Sequence, residues 1–180
     1  MRTTISYLLI AFLSLSVGSY SLQADSPKQS YDRGYKRHMQ GRHKDAVKHY
    51  SKAVEKNPSY VLAYQMRAAA WHTLKEYKYA LLDYGKVIEL GDDTFKAVAH
   101  FNRGLVQYDL GRYKAAIVDF SWAVSYNPRI TMAYVQRGLA KGRMGDKKGK
   151  VKDFVYAARY GDSEVRKWLE QHAPHVLERK

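Results

Sequence analysis

The sequence predicts an all-α protein: a solenoid of four helix-turn-helix repeats with a C-terminal capping helix. Three observations predict it. Ala97 to Arg129 reads as a helix, a turn at Gly111, a second apolar-periodic helix (Ala116, Ile117, Phe120, Ala123, Val124) and an exit at Asn127-Pro128. A shift of 34 residues lays Gly104 on Gly138, Gly111 on Gly145, Phe120 on Phe154 and Ala123 on Ala157. Backward shifts of 36 and then 34 residues give two more copies, so a small-residue column runs Gly34, Ala68, Gly104, Gly138 and an aromatic column runs Tyr50, Tyr84, Phe120, Phe154. One hairpin cannot bury its apolar face alone, and phased copies let neighbours cover each other.

In chain order, Met1 to Ala24 reads as a cleaved export leader: a basic Arg2, an apolar Ile5–Val17 run and a small residue at Ala24 before the expected cut. A retained anchor is the other reading, but Ile5–Val17 falls short of the roughly 18 apolar residues that span a bilayer, so no stable transmembrane anchor is expected. A periplasmic or secreted location follows from the leader. Residues 25–29 are read as a flexible tail. The repeats are placed at 30–60, 61–94, 95–130 and 131–162. Their second helices end at Asn57-Pro58, Gly91, Asn127-Pro128 and Gly161. Gly91 is expected to be a left-handed helix terminator, and the two extra residues are placed in a loop at Gly91–Thr94. The fourth repeat is degenerate, because Lys150 stands in a column otherwise held by Ala46, Ala80 and Ala116; its hairpin is expected to be looser. Residues 163–180 form a cap and tail, with Ser163 as N-cap and Val165, Trp168 and Leu169 facing inward.

This small-residue, Ala-x3-aromatic, Pro pattern at a period near 34 resembles the tetratricopeptide-repeat family over about Ser30 to Asp162. The resemblance implies a right-handed superhelix whose first helices line a concave groove for extended or helical peptides. The function it implies is a non-enzymatic adaptor or scaffold. The groove candidates are Tyr31, Tyr35, His38, Gln65, His72, Phe101, Asn102, Tyr108 and Val135. Aromatic anchors bury much area with few rotors. Chaperone-binding relatives grip a C-terminal carboxylate with Lys and Asn in two of these columns. Here those places hold Tyr31 and Tyr35, or Gln65 and Ala69, and Asn102 alone agrees.

A polar column also repeats. Arg67, Arg103 and Arg137 precede the small residues, and Asp83, Asp119 and Asp153 precede the aromatics. Each Arg is expected to face the Asp of its own repeat as an exposed pair contributing about 0.2–1 kcal/mol. The first repeat has Arg33 but His49, so it should lack the pair.

No cysteine is present, which excludes a disulfide framework, a lipidated cysteine and a thiol nucleophile. No HExxH, GxSxG or phosphate-binding glycine loop occurs. His38 and His72 share a repeat position, but two imidazoles are too few for a metal site. No catalytic residue, metal or cofactor is therefore assigned. The formal net charge is +14. It concentrates in the stripe Lys44, Lys48, Lys52, Lys56 and in Lys141, Arg143, Lys147, Lys148, Lys150 and Lys152. Nucleic acid does not suit an exported protein. Two function classes remain: an adaptor holding a protein segment in an aromatic groove, and a basic surface docking an acidic polymer, acidic protein or anionic membrane.

Overall fold

The computed structural model describes residues 25–177, so the expected leader at 1–24 lies outside the described residues. All regular structure among the described residues is helical. Four hairpins follow one another: α1 (Pro27–Met39) with α2 (His43–Lys56), α3 (Val61–Thr73) with α4 (Tyr77–Leu90), α5 (Asp93–Asp109) with α6 (Tyr113–Tyr126), and α7 (Thr131–Arg143) with α8 (Lys147–Arg159). The chain then closes with α9 (Ser163–His172) and a 3-10 turn, Pro174–Val176.

Each hairpin is held by one aromatic side chain from its second helix lying on the small residue of its first. A Cβ on Gly34 would sit 2.7 Å from the Tyr50 ring, one on Gly104 2.7 Å from Phe120 and one on Gly138 2.9 Å from Phe154. Tyr50, Tyr84 and Phe120 are fully buried and Phe154 nearly so. Gly104 and Gly138 thus have equivalent surroundings, as the repeat reading requires. The buried residues fall into clusters along the stack, around Val54, around Tyr84 and around Phe154, as expected for a quasi-one-dimensional fold. Three hairpin turns reverse through left-handed glycines, Gly41 (φ 71°), Gly111 (φ 71°) and Gly145 (φ 85°). The second hairpin has Lys75 there, at φ 60°.

Four local expectations are corrected. α1 begins at Pro27 rather than Ser30, because Ser26 and Gln29 form a reciprocal capping box; the expected tail is mostly helix. Gly91 is extended rather than left-handed (φ −82°, ψ 161°). It is small because a Cβ there would lie 2.6 Å from Phe95 Cβ and 2.7 Å from the Val87 carbonyl oxygen. The two extra residues lengthen a helix rather than a loop: α5 has 17 residues, against 13 in each other first helix, and Asp92 caps it. Asp162, not Ser163, caps α9, its carboxylate accepting from the Val165 N–H at 2.9 Å.

The first helices touch across repeats, α1 on α3, α3 on α5 and α5 on α7, whereas contact between second helices is slighter. Closer spacing on one side of a stack bends it toward that side. The first helices therefore form the inner wall of the curve.

Candidate functional site

The inner wall carries the expected groove residues, but many are committed to packing. Tyr31, on α1, lies 5.6 Å from the Tyr50 ring and 5.4 Å from the Tyr60 ring. Tyr35 stacks on Tyr31 at 6.4 Å and remains 46% exposed. Phe101 leans on Phe120 at 5.9 Å, and Val135 packs against the cluster around Phe154. Asn102 is half-buried on α5, and Gln65 turns its Oε1 into the protein without a partner. The structure therefore leaves Tyr35 as the exposed aromatic of this group.

His38, His72 and Tyr108 share one repeat position, and each meets an aromatic across its own turn: His43 at 4.8 Å, Tyr77 at 5.9 Å and Tyr113 at 5.2 Å. Two of them also bridge repeats. His72 Nε2 donates to Asp109 Oδ2 at 2.8 Å, and Arg143 Nε donates to the Tyr108 hydroxyl at 3.3 Å. Burial and the neighbouring His43 hold His38 below the ordinary imidazole range. No group of three or more potential metal-ligating side chains occurs among the described residues.

The arginine–aspartate column forms as expected, pair by pair, but it is not exposed. Arg67 donates to Asp83 through Nε at 2.7 Å and Nη2 at 2.8 Å. Arg103 reaches Asp119 at 3.0 and 2.7 Å, and Arg137 reaches Asp153 at 3.0 and 2.6 Å. The aspartate side chains keep 8%, 5% and 1% of their exposure. Pairs this buried are costly to break, at about 3–5 kcal/mol when one partner is removed. Two arginines reach back into the preceding repeat as well, Arg67 to the Ser51 hydroxyl at 3.0 Å and Arg137 to the Ser121 hydroxyl at 3.1 Å. The equivalent position for Arg103 is Gly85. There the carboxylate gains a different donor: His100 Nδ1 donates to Asp119 Oδ1 at 2.9 Å, with its ring stacked on Trp122 and Tyr126. Burial pushes Asp83 above the usual carboxylate range despite its bonds from Arg67. Burial acts the same way on Asp119, but the bonds from His100 and Arg103 outweigh it and hold that carboxyl low. In the first repeat Arg33 turns to Asp25 at 2.5 Å.

The basic clusters divide on inspection. Lys44, Lys48 and Lys52 are exposed on α2, while Lys56 donates to the Asp25 carbonyl and to the Ser30 hydroxyl. Of the second cluster, Lys141 is tied to Asp153 at 2.8 Å and Arg143 to Tyr108. Lys150 places its ammonium 4.6 Å from the Trp168 ring centre and 5.2 Å from that of Phe154, joining α8 to α9. The lysine that breaks the alanine column thus clamps α8 to α9. Lys147, Lys148 and Lys152 remain exposed on the outer side of α8.

Stacked hairpins with a repeating small–aromatic contact define a helical-repeat protein of the kind that presents an inner wall to other molecules. The family model described as "Tetratricopeptide repeat" matches residues 97–130. The chain is similar to human "Serine/threonine-protein phosphatase 5", 34% identical over 86 residues that make up 48% of this chain and 17% of the phosphatase. It therefore spans about a sixth of that relative. The solved structure described as "Crystal structure of MamA" superposes with a TM-score of 0.72 at 24% identity, covering 78% of this chain and 81% of that one. "First TPR of Spaghetti (RPAP3) bound to HSP90 peptide SRMEEVD" superposes with a TM-score of 0.62 at 20% identity, covering 67% and 96%. Residues 97–130 are thus matched as a tetratricopeptide repeat, and the other three hairpins repeat its small–aromatic template, which supports a tetratricopeptide-repeat protein.

Proposed function

We propose that this protein is a non-enzymatic interaction module whose inner wall holds an extended or helical segment of a protein partner. The observation that carries the reading is the wall itself. First helices contact one another across the repeats, and Tyr35 stands exposed on the first of them. A similar structure was solved with a peptide bound. That peptide ends in aspartate, and of the Lys and Asn places that would grip a C-terminal carboxylate, Tyr31 and Tyr35, or Gln65 and Ala69, stand here, with Asn102 alone in agreement. The preferred segment is therefore apolar or aromatic and is gripped along its length rather than by its terminus. We also infer export from the sequence of the leader alone; N-terminal sequencing of the protein from its own cells should find Asp25 first, and finding Met1 would remove that part of the reading.

The test is peptide-array binding to the full-length chain at low and high salt. Apolar peptides should bind equally well as C-terminal amides and acids, hold at high salt, and weaken with Tyr35→Ala. Binding that needs the free carboxylate, or that Tyr35→Ala leaves unchanged, overturns the groove reading.

A further inference from the structure

Four equivalent clefts run along the outer edge of the solenoid, where the start of each second helix meets the end of the next first helix. Leu74 borders the first, Leu110 the second and Met144 the third, and these three residues share one repeat position. Among the described residues the fourth cleft has no such side chain: α9 ends at His172, and position 178, the next in this column, lies outside them. Its far wall is instead the turn at Ala173 to Val176. The fourth cleft has a volume of about 700 Å³, against about 450 to 490 Å³ for the other three.

Lys147 stands on its border where His43, Tyr77 and Tyr113 border the other three. What is left is an apolar floor of Val151 and Val155 under a rim of Lys147, Lys148, Lys152 and Arg159. His172 and His175 stand on the far side, and among the described residues no acidic side chain lines the cleft. Rim cations over an apolar floor favour a ligand that is acidic outside and apolar at its centre.

We propose that this fourth cleft docks an acidic peptide segment, which inserts an apolar side chain where the next repeat would have placed its leucine or methionine. A flat anionic bilayer meets the rim but does not reach the floor between α8 and the turn. The site lies on the outer edge, away from Tyr35, so it is independent of the inner-wall reading.

The experiment is fluorescence polarisation with the full-length chain and a short labelled peptide of glutamates around central leucines. Companion probes replace the leucines by serine or the glutamates by lysine, and vesicles of phosphatidylserine and phosphatidylcholine form a further arm. The glutamate–leucine peptide should bind. Lys148→Glu with Lys152→Glu should weaken it at least about tenfold, as should Val155→Asp, with the helical circular-dichroism signal retained. Lys44→Glu with Lys48→Glu at the opposite end, and Tyr35→Ala on the inner wall, should leave it unchanged. The proposal is overturned if the serine peptide binds as tightly, if both pairs of charge reversals act alike, if the vesicles bind and the peptide does not, or if the peptide does not bind at all.

Discussion

Repeats two and three share one template and solve it differently at three places. Repeat two has Ala68 against Tyr84, Lys75 in the left-handed turn and Asp83 held by Arg67 alone; repeat three has Gly104 against Phe120, Gly111 in the turn and Asp119 held by both Arg103 and His100. The difference teaches that a buried carboxylate needs enough donors, not merely a cation. With one arginine, burial wins and holds the Asp83 carboxyl above the usual carboxylate range; with a second donor from the His100 ring, the bonds win and hold that of Asp119 below it. The pH consequences have opposite sign. The stability supplied by Asp119 is present above the usual carboxylate range, near pH 3.9, and is lost as pH falls through its lowered native value. That supplied by Asp83 is full in acid and is lost as pH rises through its raised native value.

The contrast can be broken most sharply at the carboxylate. Asp119→Asn should cost about 3–5 kcal/mol in urea unfolding, since it strands Arg103 and His100, and Asp83→Asn should cost less at neutral pH. Equal losses would mean that the second donor contributes nothing. The small-residue column is next. Gly104→Ala should cost about 1–3 kcal/mol, because its Cβ would press on the Phe120 ring. Ala68→Gly, by contrast, should cost only about 1 kcal/mol. His100→Tyr gives repeat three the residue repeat two carries at Tyr64, and Tyr134 shows that a tyrosine fits this position between stacked rings. The loss should be about 1.5 kcal/mol at neutral pH. Stability curves across the acid range should then show Asp119 beginning to lose its contribution at higher pH than in the parent. The smallest effect has the opposite sign. Lys75→Gly should stabilise by about 1 kcal/mol by relieving the left-handed lysine, and Gly111→Ala should lose a similar amount; both are read as shifts of the thermal midpoint.

Period and pairing were legible in the sequence because they repeat. The small–aromatic contacts and all three arginine–aspartate pairs follow from column arithmetic alone. Burial was not legible: nothing in the residue types says that a helix-surface Asp will be covered by the neighbouring repeat. Features that occur once were missed for the same reason. The His100 bridge had one available signal, a histidine interrupting a column of Tyr64 and Tyr134. The early start of α1 had a better one, the Ser26-x-x-Gln29 spacing of a capping box. At Gly91 a glycine after a helix was read as a backbone requirement, whereas the constraint is the nearness of Phe95. On the inner wall, exposure could not be separated from interhelical packing by spacing, so Tyr31 and Phe101 entered the groove beside Tyr35.

The clamp formed by Lys150 has a consequence for covalent labelling. Its amine lies under two rings, and that of Lys141 is held on a carboxylate that is 1% exposed. An amine-directed reagent should acylate Lys148 and Lys152 early and these two last. Late uptake at Lys150 would then report the parting of α8 and α9 before the rest of the stack opens.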